Sequence, residues 1–202
     1  MPGQGSLSVM DGRADSAQHE RQGRHVKQAL LVVDIQQGLF ADEPRPFEID
    51  AVIENINLLA KRARAAGAPV FFIQHEAAGT ELAYGSPAWQ LDKRLSVEPA
   101  DMLIRKTSSA PYASSDLHRQ LQERGVQAVV ITGYATEFCI DSTVRWSASL
   151  GLPVALVSDA HTTHDKPHLS AKRIVAHHNA TLPSIQSLGA PITAVPAESL
   201  WC

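Results

Sequence analysis

The chain has 202 residues, 44% of them hydrophobic and 19% charged, with a formal net charge of -3 at pH 7; this suits one globular unit with a sizeable core and excludes a disordered or fibrous chain. Mild acidity without a basic stripe or aromatic platform leaves no electrostatic case for nucleic acid, and no apolar run nears the ~20 residues that span a bilayer, so no membrane is expected as a partner. With two cysteines, Cys139 and Cys202, no disulfide framework can be drawn, and a reducing cytoplasm is the expected compartment.

In chain order, residues 1–26 are polar and lack an apolar signal core, so they read as a flexible N-terminal extension, and 27–202 read as one domain. "ALLVVD" (29–34) is a nearly continuous apolar run of the kind a strand buried on both faces requires. "DAVIENINLLAKRARAAG" places Val52, Ile56, Leu59, Ala63 and Ala66 on one helical face and stops at Gly67. "PVFFIQH" (69–75) is a second strand. The irregular stretch 76–101 follows, and a long loop in a compact domain is more often functional than idle. "MLIRK" (102–106) is a third strand, and "SSDLHRQLQERG" a second helix, capped by Ser114 or Ser115 and stopped by Gly125. "QAVVITG" (127–133), "PVALVSD" (153–159) and "APITAV" (190–195) complete the strands, with a helix over "SAKRIVAHHNATL" that turns Ile174 and Val175 inward. The alternation predicts βαβ units, an α/β fold with helices on both faces of an open parallel sheet.

Ligands of such sheets collect outside the carboxyl ends of the strands. The residues there are Asp34, His75, Lys106, the turn from Gly133 to Cys139, and Asp159 with the "AHTTHD" loop. Taken singly, each has a plainer role: Asp34 as a cap for "IQQGLF", Lys106 as a surface lysine, Cys139 as a small buried hydrophobe. Taken together they form a nucleophile, a base and a field. A thiol near a helix N-terminus and an ammonium is favoured as thiolate, and a carboxylate can take its proton and return it to a leaving group. Spacing alone does not show that the three meet.

"LLVVDIQQGLF", "IRKTSSAPY" and "VVITGYATEFCIDSTVRWSASLGLPVALVSDAHTTHD" together resemble the isochorismatase-like cysteine hydrolase superfamily, which includes nicotinamidases, N-carbamoylsarcosine amidases and streptothricin hydrolases. The resemblance covers residues 27–195. It implies a three-layer αβα fold on a six-stranded parallel sheet, a catalytic triad of Asp34, Lys106 and Cys139, a non-proline cis peptide at Tyr134 and Ala135, and an oxyanion hole from the N–H groups of Ala135 and Cys139. The implied reaction is cleavage of a C–N amide bond of a small molecule through a thioester, with no cofactor, in a homo-oligomer (dimer or tetramer). Three alternatives stand beside it. A vinyl ether hydrolase of the isochorismatase type would lack the cysteine, a catalytically silent binding protein would not need an intact triad, and a Cys-His hydrolase would use His161 or His164 as base.

The sequence departs from the nicotinamidases at "FFIQHEAAGTEL", which lacks the Asp-x-His that holds their metal, so no metal site is expected. The group His161, His164 and His168 fits no compact ligand pair. Phe40, His75, Trp89, Tyr112, Tyr134 and His164, with Tyr84, are the candidates to line a pocket around the thiol. Trp146 and Trp201 are assigned to packing or a subunit interface.

Overall fold

The computed structural model describes residues 26–41 and 43–202; the extension expected over 1–26 lies, apart from Val26, outside the described residues. Strands β1 (Gln28–Val33), β2 (Val70–His75), β3 (Met102–Lys106), β4 (Ala128–Tyr134), β5 (Val154–Thr162) and β6 (Ile192–Val195) form one parallel sheet in the order β3-β2-β1-β4-β5-β6. The helices are α1 (Ile49–Ala65), α2 (Leu117–Glu123), α3 (Asp141–Ser149) and α4 (Ala171–Thr181). Among the described residues no helix is long and apolar enough to cross a membrane.

Successive side chains of a strand point to opposite faces, and β1 buries both. Ala29, Leu31 and Val33 pack with Leu117 and Leu121 of α2 and with Val144 and Ala148 of α3, while Leu30 and Val32 pack with Ile53, Ile56, Leu59 and Ala60 of α1. Each such burial stabilises by about 1.5–3 kcal/mol for the larger side chains, and the result is three layers, αβα. Ala66, expected on the buried face of α1, is instead its exposed C-cap. The N-cap of α2 is Asp116, not Ser114 or Ser115. The Ser115 hydroxyl accepts the Leu117 N–H at 3.2 Å, and that of Ser114 accepts the Thr107 and Ser108 N–H groups at 3.0 and 3.2 Å, tying down the loop after β3.

β5 runs three residues past its expected end and carries His161. Between the pairs Ile131/Leu156 and Gly133/His161 it advances five residues against two on β4, an irregularity that re-aims the strand as a bulge does. Side-chain amides satisfy the backbone it displaces: Asn179 Nδ2 donates to Ser158 O and Asn55 Nδ2 to Asp159 O, both at 2.9 Å. The Asp159 carboxylate accepts the Ala197 N–H at 2.9 Å. His161 is thereby set opposite Gly133 and buried. Because Asn179 donates to Ser158, its Oδ1 is left to accept the His161 Nε2–H (2.9 Å), and His161 Nδ1 accepts the Thr136 hydroxyl (2.9 Å). Burial pushes the His161 pKa down to about 4.

Two predictions follow from this framework. Gly133 has φ +125°, and a Cβ there would lie 2.0 Å from the Val33 carbonyl oxygen; Gly133→Ala should cost about 3 kcal/mol or more in urea unfolding. Gly151→Ala, at φ +82° with nothing within 4 Å, should cost only about 1 kcal/mol. His161 is neutral when folded and has an ordinary pKa of about 6.5 when unfolded, so the folded state binds fewer protons between pH 6.5 and 4. Its contribution is whole above pH 6.5 and is lost as pH falls towards 4. The loss of stability over that window, measured by urea titration, should shrink by roughly 3 kcal/mol in His161→Gln.

Candidate active site

Three loops at the carboxyl edge of the sheet supply the site. Asp34 follows β1 in a left-handed conformation (φ 53°), which Asp tolerates better than most residues, and its N–H stays on the ladder through Ile73 O at 2.8 Å. Lys106 ends β3, an edge strand whose burial alternates: Ile104 and Lys106 point inward, Leu103 and Arg105 outward. The period of two carries the lysine to the buried face. Cys139 lies in a wide π-type turn, Thr136–Ile140, between β4 and α3. The Ala135 carbonyl closes this turn by accepting the Phe138 and Ile140 N–H groups at 3.0 and 3.1 Å, and the Thr143 hydroxyl donates to Cys139 O at 2.6 Å. The Tyr134–Ala135 peptide is cis.

The side chains converge on the Lys106 ammonium. Its Nζ lies 2.8 Å from Asp34 Oδ2, and the two side chains are 0% and 2% exposed. It donates also to Ser108 O at 3.1 Å and to Cys139 Sγ at 3.4 Å, with His75 Nδ1 at 3.5 Å. Asp34 Oδ1 is a buried acceptor without a partner. Lys106 favours the thiolate, as the sequence suggests, but two other effects outweigh it. Burial first, and then the charge of Asp34, push the Cys139 thiol up to about 12 against the opposing pull of Lys106. The thiol therefore rests protonated at neutral pH. Cys139 lies, as expected, near the start of a helical segment: its π-type turn runs directly into α3 at Asp141. Burial, then Lys106, lowers the pKa of His75, so its imidazole stands neutral beside the ammonium.

The other expected residues divide. Phe40 packs edge-on against Tyr134 (centroids 5.3 Å), and Tyr134 against His164 (5.5 Å); the Tyr134 hydroxyl meets His164 Nδ1 at 2.8 Å. Burial first, and then the carboxylate of Glu137, push the Tyr134 phenol up to about 12. Trp89 is buried and packs edge-on to Tyr84 (5.0 Å). Its carbonyl accepts Gln36 Nε2 at 2.8 Å and Gln74 Nε2 at 3.0 Å. Tyr112 departs from the pocket expectation. Its hydroxyl meets Ser147 of α3 at 2.7 Å and its ring packs on the core. His161, bonded to Thr136 and Asn179, and His164, bonded to Tyr134, each have their own partners, none of them the thiol.

Sequence reading missed Gln36. Wholly buried, it donates to His75 O at 2.9 Å and accepts the His75 N–H at 2.8 Å, locking the end of β2 to the loop after β1. Glu137 was missed as well: its Oε1 takes Lys166 Nζ at 3.0 Å and the Thr163 hydroxyl at 2.9 Å. The only signal for Gln36 was a polar side chain placed two residues after Asp34; Glu137 carried none.

Comparison with known proteins agrees with this geometry. The isochorismatase domain profile matches residues 28–195. A streptothricin hydrolase of Streptomyces noursei is 35% identical over 141 residues, covering 69% of this chain and 51% of that protein; the chain thus spans about half the length of this relative. The ureidoacrylate amidohydrolase RutB of Pseudomonas syringae is 31% identical over 158 residues, covering 58% of this chain and 63% of that one. A crystal structure of an isochorismatase family protein superposes with a TM-score of 0.77 at 34% identity, covering 84% of this chain and 98% of the other. A parallel sheet in this order, a buried acid–lysine–cysteine cluster at its carboxyl edge and a profile match across nearly the whole described chain lead to one assignment: the chain belongs to the isochorismatase-like cysteine hydrolase superfamily.

Proposed function

We propose that the protein is a cysteine-dependent hydrolase that cleaves a C–N amide bond of a small molecule through a thioester. The observation that carries this reading is the buried contact of Lys106 Nζ with both Asp34 Oδ2 (2.8 Å) and Cys139 Sγ (3.4 Å). A relative that is an amidohydrolase by name supports the choice of bond.

In this reaction the neutral thiol gives its proton to Asp34 as sulfur attacks the amide carbonyl, so thiolate exists only while the bond forms. Lys106 keeps its proton. It holds Asp34 in place and offers positive charge to the sulfur, which makes transfer from a thiol of such high pKa feasible. The N–H groups of Ala135 and Cys139 receive the oxyanion; one such donor is worth about 3 kcal/mol in acyl-transfer enzymes. Asp34 then protonates the departing nitrogen, and ammonia or an amine leaves. Water enters, gives a proton to Asp34 and attacks the thioester; collapse releases the acid, and the proton on Asp34 returns to sulfur. We assign the substrate contacts to Phe40, Tyr134 and His164, which pack on one another, and to His75, beside Lys106, and Trp89.

Two measurements test this. Ammonia release over a panel of primary amides, ureido compounds, cyclic imides and lactams should show turnover by the wild type and a loss of at least about 10³-fold in Cys139→Ala. Unchanged hydrolysis in that variant sinks the cysteine mechanism, and silence of the wild type over the whole panel turns the reading towards C–O cleavage. Asp34→Asn separates the two roles of the carboxylate. Removing its charge should lower the Cys139 pKa and speed alkylation by iodoacetamide at pH 8 several-fold, while amide turnover falls by about 10²-fold or more. Slower alkylation would show that Asp34 does not set the thiol's ionisation.

A further inference from the structure

One buried side chain ties Trp89 to His75. Gln36 Nε2 donates to both carbonyls, at 2.8 Å to Trp89 O and at 2.9 Å to His75 O, and Gln74 Nε2 adds a bond to Trp89 O at 3.0 Å. The Trp89 N–H is taken by the Ser86 hydroxyl at 3.0 Å, and its ring packs edge-on to Tyr84. Every polar atom of Trp89 is thus engaged except the indole Nε1–H, which is buried and has no acceptor among the described residues. Buried N–H groups are nearly always paired, and an unpaired one costs free energy. A residue so firmly fastened, with one donor left over, is suited to a ligand's acceptor.

The imidazole of His75 offers a donor of the same kind. An ammonium has protons and no lone pair, so in the 3.5 Å contact between Lys106 Nζ and His75 Nδ1 the ring nitrogen must accept. The proton of a neutral ring is then on Nε2. Burial, then the charge of Lys106, lower the pKa of His75, so the ring stays uncharged at neutral pH. The cations beside these donors are committed elsewhere. Lys106 faces Asp34 at 2.8 Å, and Arg105 binds Glu76 through two contacts of 2.7 and 3.0 Å, with its guanidinium over the exposed Tyr84 ring. An entering carboxylate would lose its water without gaining a counter-charge.

We infer that His75 Nε2–H and Trp89 Nε1–H select the substrate, and that it is an uncharged amide carrying a second carbonyl, which these donors receive while the first faces Cys139. The inference rests on the amidase reading above and narrows it. Diamides, cyclic imides and acylureas fit. A plain alkyl amide would leave both donors unpaired, and a site built to bond an acceptor rejects an analogue that lacks it.

Protection of Cys139 from iodoacetamide measures this recognition without requiring turnover. The full chain is alkylated at pH 8 in the presence of malonamide, succinamide or glutaramide, of butyramide, or of succinamate, and the Cys139 peptide is followed by mass spectrometry separately from that of Cys202. The best diamide should protect at concentrations at least about tenfold lower than butyramide or succinamate. Trp89→Phe, which keeps a ring and loses the donor, and His75→Leu should each cut that margin to about threefold or less. His75→Gln, which restores an N–H, should recover part of it. If His75→Leu fails to fold, Trp89→Phe decides. Equal protection by diamide and butyramide, stronger protection by succinamate, or a margin that survives both variants overturns the inference. Ammonia release from the same diamide reports on the reaction itself: selective protection without release overturns the amidase reading and leaves the role of the two donors standing.

Discussion

A buried ammonium is costly unless acceptors replace the water it loses, and Lys106, with no exposed surface, has them: the Asp34 carboxylate, the Ser108 carbonyl and the Cys139 sulfur. Each comes from a different loop. The lysine therefore draws together the ends of β1, β3 and β4, and removing any one acceptor would leave a charge poorly solvated in the interior. The pair is weak evidence for net stability, since desolvation of two ions offsets much of their attraction. Its value is in position. It holds a carboxylate and a thiol at fixed places in a buried setting, where charge acts strongly.

The same environment explains why the thiol rests neutral. Burial and Asp34 both disfavour a second anion, and one ammonium shared with a carboxylate does not reverse them. A helix-start position and a nearby lysine, viewed along the sequence, suggest an ionised cysteine; once folded, the ammonium is already paired. A neutral thiol next to a vacant carboxylate oxygen is suited to attack coupled to proton transfer, and it is protected from indiscriminate alkylation or oxidation.

Around this centre the sheet supplies rigidity by unspectacular means. Gln36 locks the end of β2, the carbonyl of Ala135 closes the turn before Cys139, and the irregular stretch of β5 lets His161 buttress Thr136 at the base of that turn. Buried amides and an imidazole with every polar atom engaged make one geometry far better than its neighbours. The outer side of the same turn and helix carries exposed Phe138 and Trp146.

Local pattern determined the strands, α1 and the layer arrangement, because a buried parallel strand must be apolar on both faces and a covering helix on one, and both periods can be read from the sequence. It also marked Asp34 and Lys106 at strand ends and Cys139 in the turn after β4, because ligands of an open parallel sheet collect at its carboxyl edge. What it could not decide depends on distant partners. The burial of Lys106 rests on β3 being an edge strand packed on one face. The ionisation of Cys139 rests on which charges reach it, and the departure of Tyr112 from the pocket on Ser147, 35 residues away. The extension of β5 to His161 required Asn55 and Asn179 to satisfy its displaced carbonyls. Periodicity is a property of neighbours in the chain, whereas pKa and pocket walls are properties of neighbours in space, and only the folded structure brings those together.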